Sequence, residues 1–185
     1  MKDRKDSLIA KDSLIAVLCE GGAEEAIMNI LLDNNFLIFS RKQLLWEKVL
    51  PRMKARKFEK EYLSQEFDQK IIILRVIDSR NENFKLSKAY QCQVEVVDII
   101  TAPEIEMLVI IASNKYDNFS RSNIKKPSDY CKNYLKISNV KKDSFILEFF
   151  SDPNKLLSSI KKYNQIHKKN LNEYSLYDLL KEELR

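Results

Sequence analysis

Glycine is almost missing from this chain: two residues in 185, and those two are adjacent, Gly21 and Gly22. Histidine occurs once, as His167, so a monomer has no histidine-based triad and no His-rich metal cluster. The three cysteines (Cys19, Cys92, Cys131) are scattered and odd in number, which gives no paired zinc spacing and suggests a reducing, cytoplasmic setting. No apolar run is long enough to span a bilayer, and the start Met1-Lys2-Asp3-Arg4-Lys5-Asp6 lacks the apolar core of a signal peptide. Membrane, secreted and zinc-finger classes are therefore set aside. What is there is globular: 44% hydrophobic and 32% charged residues, with a formal charge of +5 that permits an anionic partner without requiring one. A chain of this size hides about 70% of its unfolded surface and needs no disulfide or metal to fold.

A tandem hexapeptide opens the chain, Lys5-Asp6-Ser7-Leu8-Ile9-Ala10 followed by Lys11-Asp12-Ser13-Leu14-Ile15-Ala16. Only the second copy runs into a longer apolar stretch, Leu14 to Cys19, which predicts a buried strand; residues 1–12 read as a tail. Ala26, Ile27, Ile30 and Leu31 fall at helical spacing, and Phe36 to Phe39 suggests a short second strand. Arg41 to about Leu63 reads as helix broken by Pro51. Lys70 to Ile77 and about Gln93 to Ile100 read as strands three and four, separated by a polar excursion from Asn81 to Lys88. Thr101-Ala102-Pro103-Glu104 predicts a helix start with a Thr cap and a capping box, the helix running to about Asn114. Beyond residue 119, short amphipathic pieces (Tyr130–Leu135, Phe145–Phe150, Leu156–Tyr163, Leu176–Leu184) alternate with polar loops. The expectation is an α/β core over 13–119, a mainly parallel sheet flanked by helices, with a mostly helical C-terminal part, 120–185, packed on it.

In such a sheet, ligands bind at the carboxyl ends of the strands. Gly21-Gly22 falls there, between strand one and helix one, where small residues let a backbone approach a phosphate; a purely structural tight turn is an equal alternative. Glu20 ends a buried strand, a costly place for a carboxylate unless it is solvated, paired or bound to a cation. Asp78 ends strand three in the same way, with a turn or cap as its structural alternative. Glu106 precedes Met107-Leu108-Val109-Ile110-Ile111-Ala112, a helix apolar all round and hence buried, so its carboxylate faces a site, a partner or the helix dipole. Glu104 is better explained by capping. Three acids from separate segments at one sheet edge form the kind of cluster that holds Mg²⁺ together with waters and a substrate phosphate.

Strand, then Cys19-Glu20-Gly21-Gly22-Ala23-Glu24-Glu25, then helix resembles the first motif of TOPRIM domains, and strand then Asp78 resembles their second. Thr101-Ala102-Pro103-Glu104-Ile105-Glu106-Met107-Leu108 is similar to the third motif of small TOPRIM-like proteins of abortive infection and phage defence, related to overcoming-lysogenisation-defect nucleases. The resemblance covers roughly residues 13 to 115. It implies Mg²⁺-dependent phosphodiester hydrolysis on DNA or RNA. Glu20 would be acid/base or metal residue, Asp78 a Mg²⁺ ligand, Glu106 a further acid of the site, and Glu24 a helper. A phage-defence effector or toxin fits it, with a partner protein and a homo-oligomer left open. One departure stands out: the usual Asp-x-Asp is here Asp78-Ser79-Arg80, which puts a guanidinium where a carboxylate belongs. Asn81 or Glu82 compensates, Arg80 holds a phosphate, or the site is inactive.

Between Arg41 and Lys60 stand eight basic residues against Glu47 and Glu59, so 8 − 2 gives a local charge of +6. With Trp46 and Phe58 interleaved, the segment could track a nucleic-acid backbone through Arg52, Arg56 and Lys57; the plainer reading is a solvated helical face. Lys125-Lys126, Lys141-Lys142, Lys161-Lys162 and Lys168-Lys169 read as ordinary exposed positions. Two rivals to the nuclease remain: a catalytically inactive nucleic-acid-binding or regulatory module of the same fold, and a small-molecule binder using Gly21-Gly22 for a nucleotide phosphate.

Overall fold

The computed structural model describes residues 8–10, 12–167, 170 and 172–185. Most of the tail (1–7 and 11) and the pair Lys168-Lys169 lie outside the described residues. Four strands form one all-parallel sheet: β1 (Leu14–Cys19), β2 (Leu44–Pro51), β3 (Ile71–Ile77) and β4 (Val94–Ile100), in the order β2-β1-β3-β4. The fold is thus α/β, a parallel sheet flanked by helices with a helical C-terminal part. Apolar residues occupy both faces of β1 and β3, as a strand covered on both sides requires. Ile15, Val17, Ile72, Leu74 and Ile99 face the larger core, with α1 (Gly22–Asp33) and α3 (Met107–Ala112). Ala16, Leu18, Ile71 and Ile73 face a smaller core under α2 (Ala55–Tyr62), where Phe58 is fully buried.

The C-terminal segment adds α4 (Tyr116–Ser120), α5 (Pro127–Asn133), α6 (Asp143–Phe149) and α7 (Pro153–Ile166). Helix α7 packs on α3 and α6 on α1, so Ile146, Phe150, Leu156 and Ile160 join the larger core. Leu176–Leu179 and Glu182–Leu184 are 3-10 turns rather than one helix. The Tyr163 hydroxyl donates to the Ala102 carbonyl, pinning the turn before α3 to α7. Removing it with Tyr163→Phe strands a buried carbonyl and should cost about 1–3 kcal/mol in urea unfolding.

Three local expectations are corrected. Phe36–Phe39 is no strand of the sheet; Leu37 makes an isolated antiparallel bridge to Leu180. Of the broken helix expected from Arg41 to about Leu63, the half after Pro51 is α2, whereas the half before it is a 3-10 turn (Arg41–Gln43) leading into β2. Trp46 and Glu47 take the left-handed region (φ 58° and 53°), and the register moves from Ile15 opposite Leu44 to Val17 opposite Val49. This bulge breaks the period-2 alternation and leaves the buried positions Leu44, Leu45, Val49 and Leu50 mimicking a helical stripe. Finally, no helix begins at Thr101. Its hydroxyl has no hydrogen-bond partner among the described residues, and α3 starts at Met107 with Glu106 in the capping position.

Candidate functional site

All four strands run the same way, so their carboxyl ends share one edge, where the chain places Arg52, Glu20, Asp78 and Thr101 in sheet order. The chain leaves β1 toward β2 on one side and returns from β2 to β3 on the other. The β1/β3 boundary is therefore the switch point of the sheet, where a crevice opens because successive connections diverge. A cavity of about 220 Å³ lies there, lined by Glu20, Gly21, Gly22, Ala23, Glu24, Asp78, Glu106 and Lys141. At roughly 30 Å³ per water, it has room for a phosphoryl group and a few waters. It is smaller than the cavity of about 440 Å³ lined by residues of α3 and α7 and stands out by its charge, not its size.

The three acids singled out in the sequence therefore meet, and Glu24 joins them. Glu20 accepts from the Asp78 amide at 3.1 Å and from the Arg52 guanidinium at 2.5 Å, which fixes both of its oxygens. Burial pushes the Asp78 carboxyl up, and the neighbouring Glu20 carboxylate pushes it further. Burial also raises Glu24; its own amide and Lys141 oppose this, while Glu20 and Asp78 add to it. Glu106, only 3% exposed, is pushed up to about 7 by burial, with Glu104 and Glu24 reinforcing and its own amide and Lys141 opposing. Crowded carboxylates whose proton affinity has risen are groups a cation would stabilise.

The glycines act by closeness. Gly21 is extended (φ −149°, ψ −177°), and neither glycine has a positive φ. A Cβ on Gly21 would sit 3.2 Å from Glu24 Oε2, and one on Gly22 3.4 Å from the Asp143 amide nitrogen. Missing side chains thus let Glu24 fold over the loop and let the segment before α6 close one wall. That wall delivers Lys141, which the sequence offered as an ordinary surface lysine. Its side chain is 62% exposed and its Nζ lies 3.3 Å from Glu104 Oε1. Burial draws the ammonium down, but Glu106, Glu104 and Glu24 outweigh this and raise it, so it stays charged. Glu104 also accepts from the Ser128 amide at 2.8 Å; desolvation opposes its charge, but the Ser128 and Lys141 bonds prevail and lower its pKa. It is a partner of Lys141 rather than half of a capping box. No sequence signal ties Lys141 to acids more than 30 positions away.

Arg80 does not enter the cavity. Its guanidinium makes two bonds to Glu173, at 2.9 and 3.0 Å, and lies 3.3 Å from His167. The positive charge that would have opposed a cation is drawn to the C-terminal segment. Glu82 does not replace the lost carboxylate either: it pairs with Arg52 at 3.1 Å and with buried Arg75 at 3.0 Å. Of the basic segment, Arg41 is taken by Asp33 at 2.6 Å and Lys57 lies 3.8 Å from Glu61. Phe58 is in the core and cannot stack on a ligand, whereas Trp46 is 55% exposed.

Does Mg²⁺ suit this donor set? Among the described residues no group of three or more His, Cys, Asp or Glu side chains is gathered as a metal cage. Mg²⁺ commonly keeps several waters and binds through one or two carboxylates plus substrate phosphate, and the adjoining Glu20 and Asp78 carboxyls fit that mode. Among the described residues no helix is long and apolar enough to cross a membrane. Compared with protein-family models, with curated proteins and with solved structures, the chain matches none.

Proposed function

We propose that this protein is a Mg²⁺-dependent nuclease, hydrolysing phosphodiester bonds of DNA or RNA at the β1/β3 crevice. The observation that carries the reading is the convergence of Glu20, Glu24, Asp78 and Glu106 with Lys141 around one small cavity at the switch point of the sheet. Glu20 and Asp78 would hold the cation, which when bound would act as a Lewis acid on the phosphate and lower the pKa of a water. Glu20, committed to Arg52 and the Asp78 amide, is poorly placed to move protons. That role passes to Glu106, whose carboxyl exchanges a proton near neutrality and so can both take and return one. Lys141 would carry charge against the phosphate from the opposite wall, and Gly21-Gly22 would leave room for it.

The resemblance to small TOPRIM-like proteins supports the same reading and is the sole support for a phage-defence or toxin role, with or without a partner protein or a second copy. Free Cys19, Cys92 and Cys131 suit a reducing compartment such as the cytoplasm. A second reading, a nucleic-acid-binding module without catalysis, is favoured by the lack of a three-ligand cage among the described residues.

Purified protein incubated with labelled single- and double-stranded DNA and RNA decides between them. The nuclease reading expects cleavage in Mg²⁺, none in EDTA, and a rise in melting temperature on Mg²⁺ titration. Binding without cleavage or a melting shift would establish the second reading; neither binding nor cleavage would sink both.

A further inference from the structure

A second cavity, of about 600 Å³, opens next to the acid pocket between the end of β2 and the excursion after β3; its walls include Arg52, Met53, Arg56, Asn83, Phe84 and Lys85. Arg52 is the shared post. Its guanidinium reaches Glu20 of the acid pocket at 2.5 Å and Glu82 of the cleft wall at 3.1 Å. Glu82, the cleft's acid, is already balanced by Arg52 and Arg75, so the exposed charges of Arg56 and Lys85, with neighbouring Lys54, face outward in excess. The floor is different in kind. Met53 and Phe84 are half-buried; the buried Arg75 guanidinium lies over one face of the Phe84 ring, 4.9 Å from its centroid, and the Phe58 ring meets it at 66° with centroids 6.4 Å apart, so a ligand has the other face of Phe84 to use.

A basic rim over a fixed aromatic floor selects a ligand that is anionic at one end and flat and apolar at the other. Phosphate alone would use the rim and leave the floor bare, and a membrane would need an outward apolar face. A nucleotide uses both, with the Asn83 amide able to meet polar base edges. A base in a duplex keeps its faces inside the stack, so the floor is open only to an unpaired strand. Building on the nucleic-acid reading above, we propose that this cleft takes an unpaired nucleotide next to the one whose phosphate enters the acid pocket, its base on Phe84 and Met53 and its phosphates on Arg56 and Lys85.

The test is fluorescence anisotropy in EDTA, where no cleavage contributes, with a labelled single-stranded oligonucleotide, the same chain made abasic, and a hairpin duplex. Both DNA and RNA versions are used. The intact single strand should bind at least about fivefold more tightly than the abasic chain, as one stacked base requires. Phe84→Leu, which keeps an apolar packing partner for Arg75 and Phe58, should bring that ratio toward one. Arg56→Glu with Lys85→Glu, both exposed, should weaken every strand and reduce the salt slope by about two. Equal affinity for intact and abasic strands, or charge reversal without effect, overturns the proposal. Preference for bases with no hydrolysis in Mg²⁺ would instead remove the nuclease and keep the subsite, while hydrolysis without base preference would do the reverse.

Discussion

Glu20→Gln should lower Mg²⁺-dependent cleavage at least about a hundredfold while leaving the protein folded. The amide keeps the shape of the side chain and an oxygen for one of its two donors, Arg52 or the Asp78 amide, while its NH2 faces the other, so the cost is local and the sheet and its cores are untouched. What it loses is the negative charge, and with it half of the carboxylate pair that would hold the cation. Cleavage of a labelled oligonucleotide, read beside the melting temperature, checks both halves of the statement. An unchanged rate would remove Glu20 from the chemistry; a lost fold would show that its ion pair with Arg52 is structural.

The second large effect concerns Glu106 and stability. In the folded protein its carboxyl holds a proton up to about pH 7, whereas in the unfolded chain the ordinary value is 4.5. Between those limits the folded state binds the extra proton, so Glu106 contributes stability that is complete below 4.5 and lost as pH rises through 7. Asp78 and Glu24, also raised, act with the same sign; Glu104, lowered, acts with the opposite sign at more acid pH. Glu106→Gln has no proton to lose. It should flatten the decline of stability between about pH 5 and 8 and exceed the native chain by about 3 kcal/mol at pH 8. Urea unfolding at a series of pH values measures this, and parallel curves for the two proteins would show that Glu106 does not titrate there.

Much of this arrangement was legible in the sequence for a simple reason. Buried parallel strands are apolar on both faces, so Leu14–Cys19 and Ile71–Ile77 announce themselves, and a charged residue directly after each one marks the carboxyl edge of the sheet, where the candidate site lies. Glu20 and Asp78 were found that way, and Glu106 by its place before an apolar helix. The failures have causes as definite. In β2 a bulge destroyed the alternation that identifies a strand, and an apolar spacing produced by two left-handed residues looked helical. Thr101-Ala102-Pro103-Glu104 has the composition of a helix start, but Glu104 is drawn to Ser128 and Lys141, partners supplied by tertiary structure. Lys141 could not be seen for the same reason: what distinguishes it from its neighbour Lys142 is which way the loop before α6 passes Gly22, a distance rather than a pattern.

The bulge has a consequence for the company this protein keeps. Strand β2 is one outer border of the sheet, and a regular border there would offer its free amides and carbonyls to any extended chain in solution. With Trp46 and Glu47 turned left-handed halfway along it, the row of donors and acceptors falls out of step, and an incoming strand could match only one half of the border at a time. The irregularity that hid β2 from the sequence thus makes this border a poor template for a further strand.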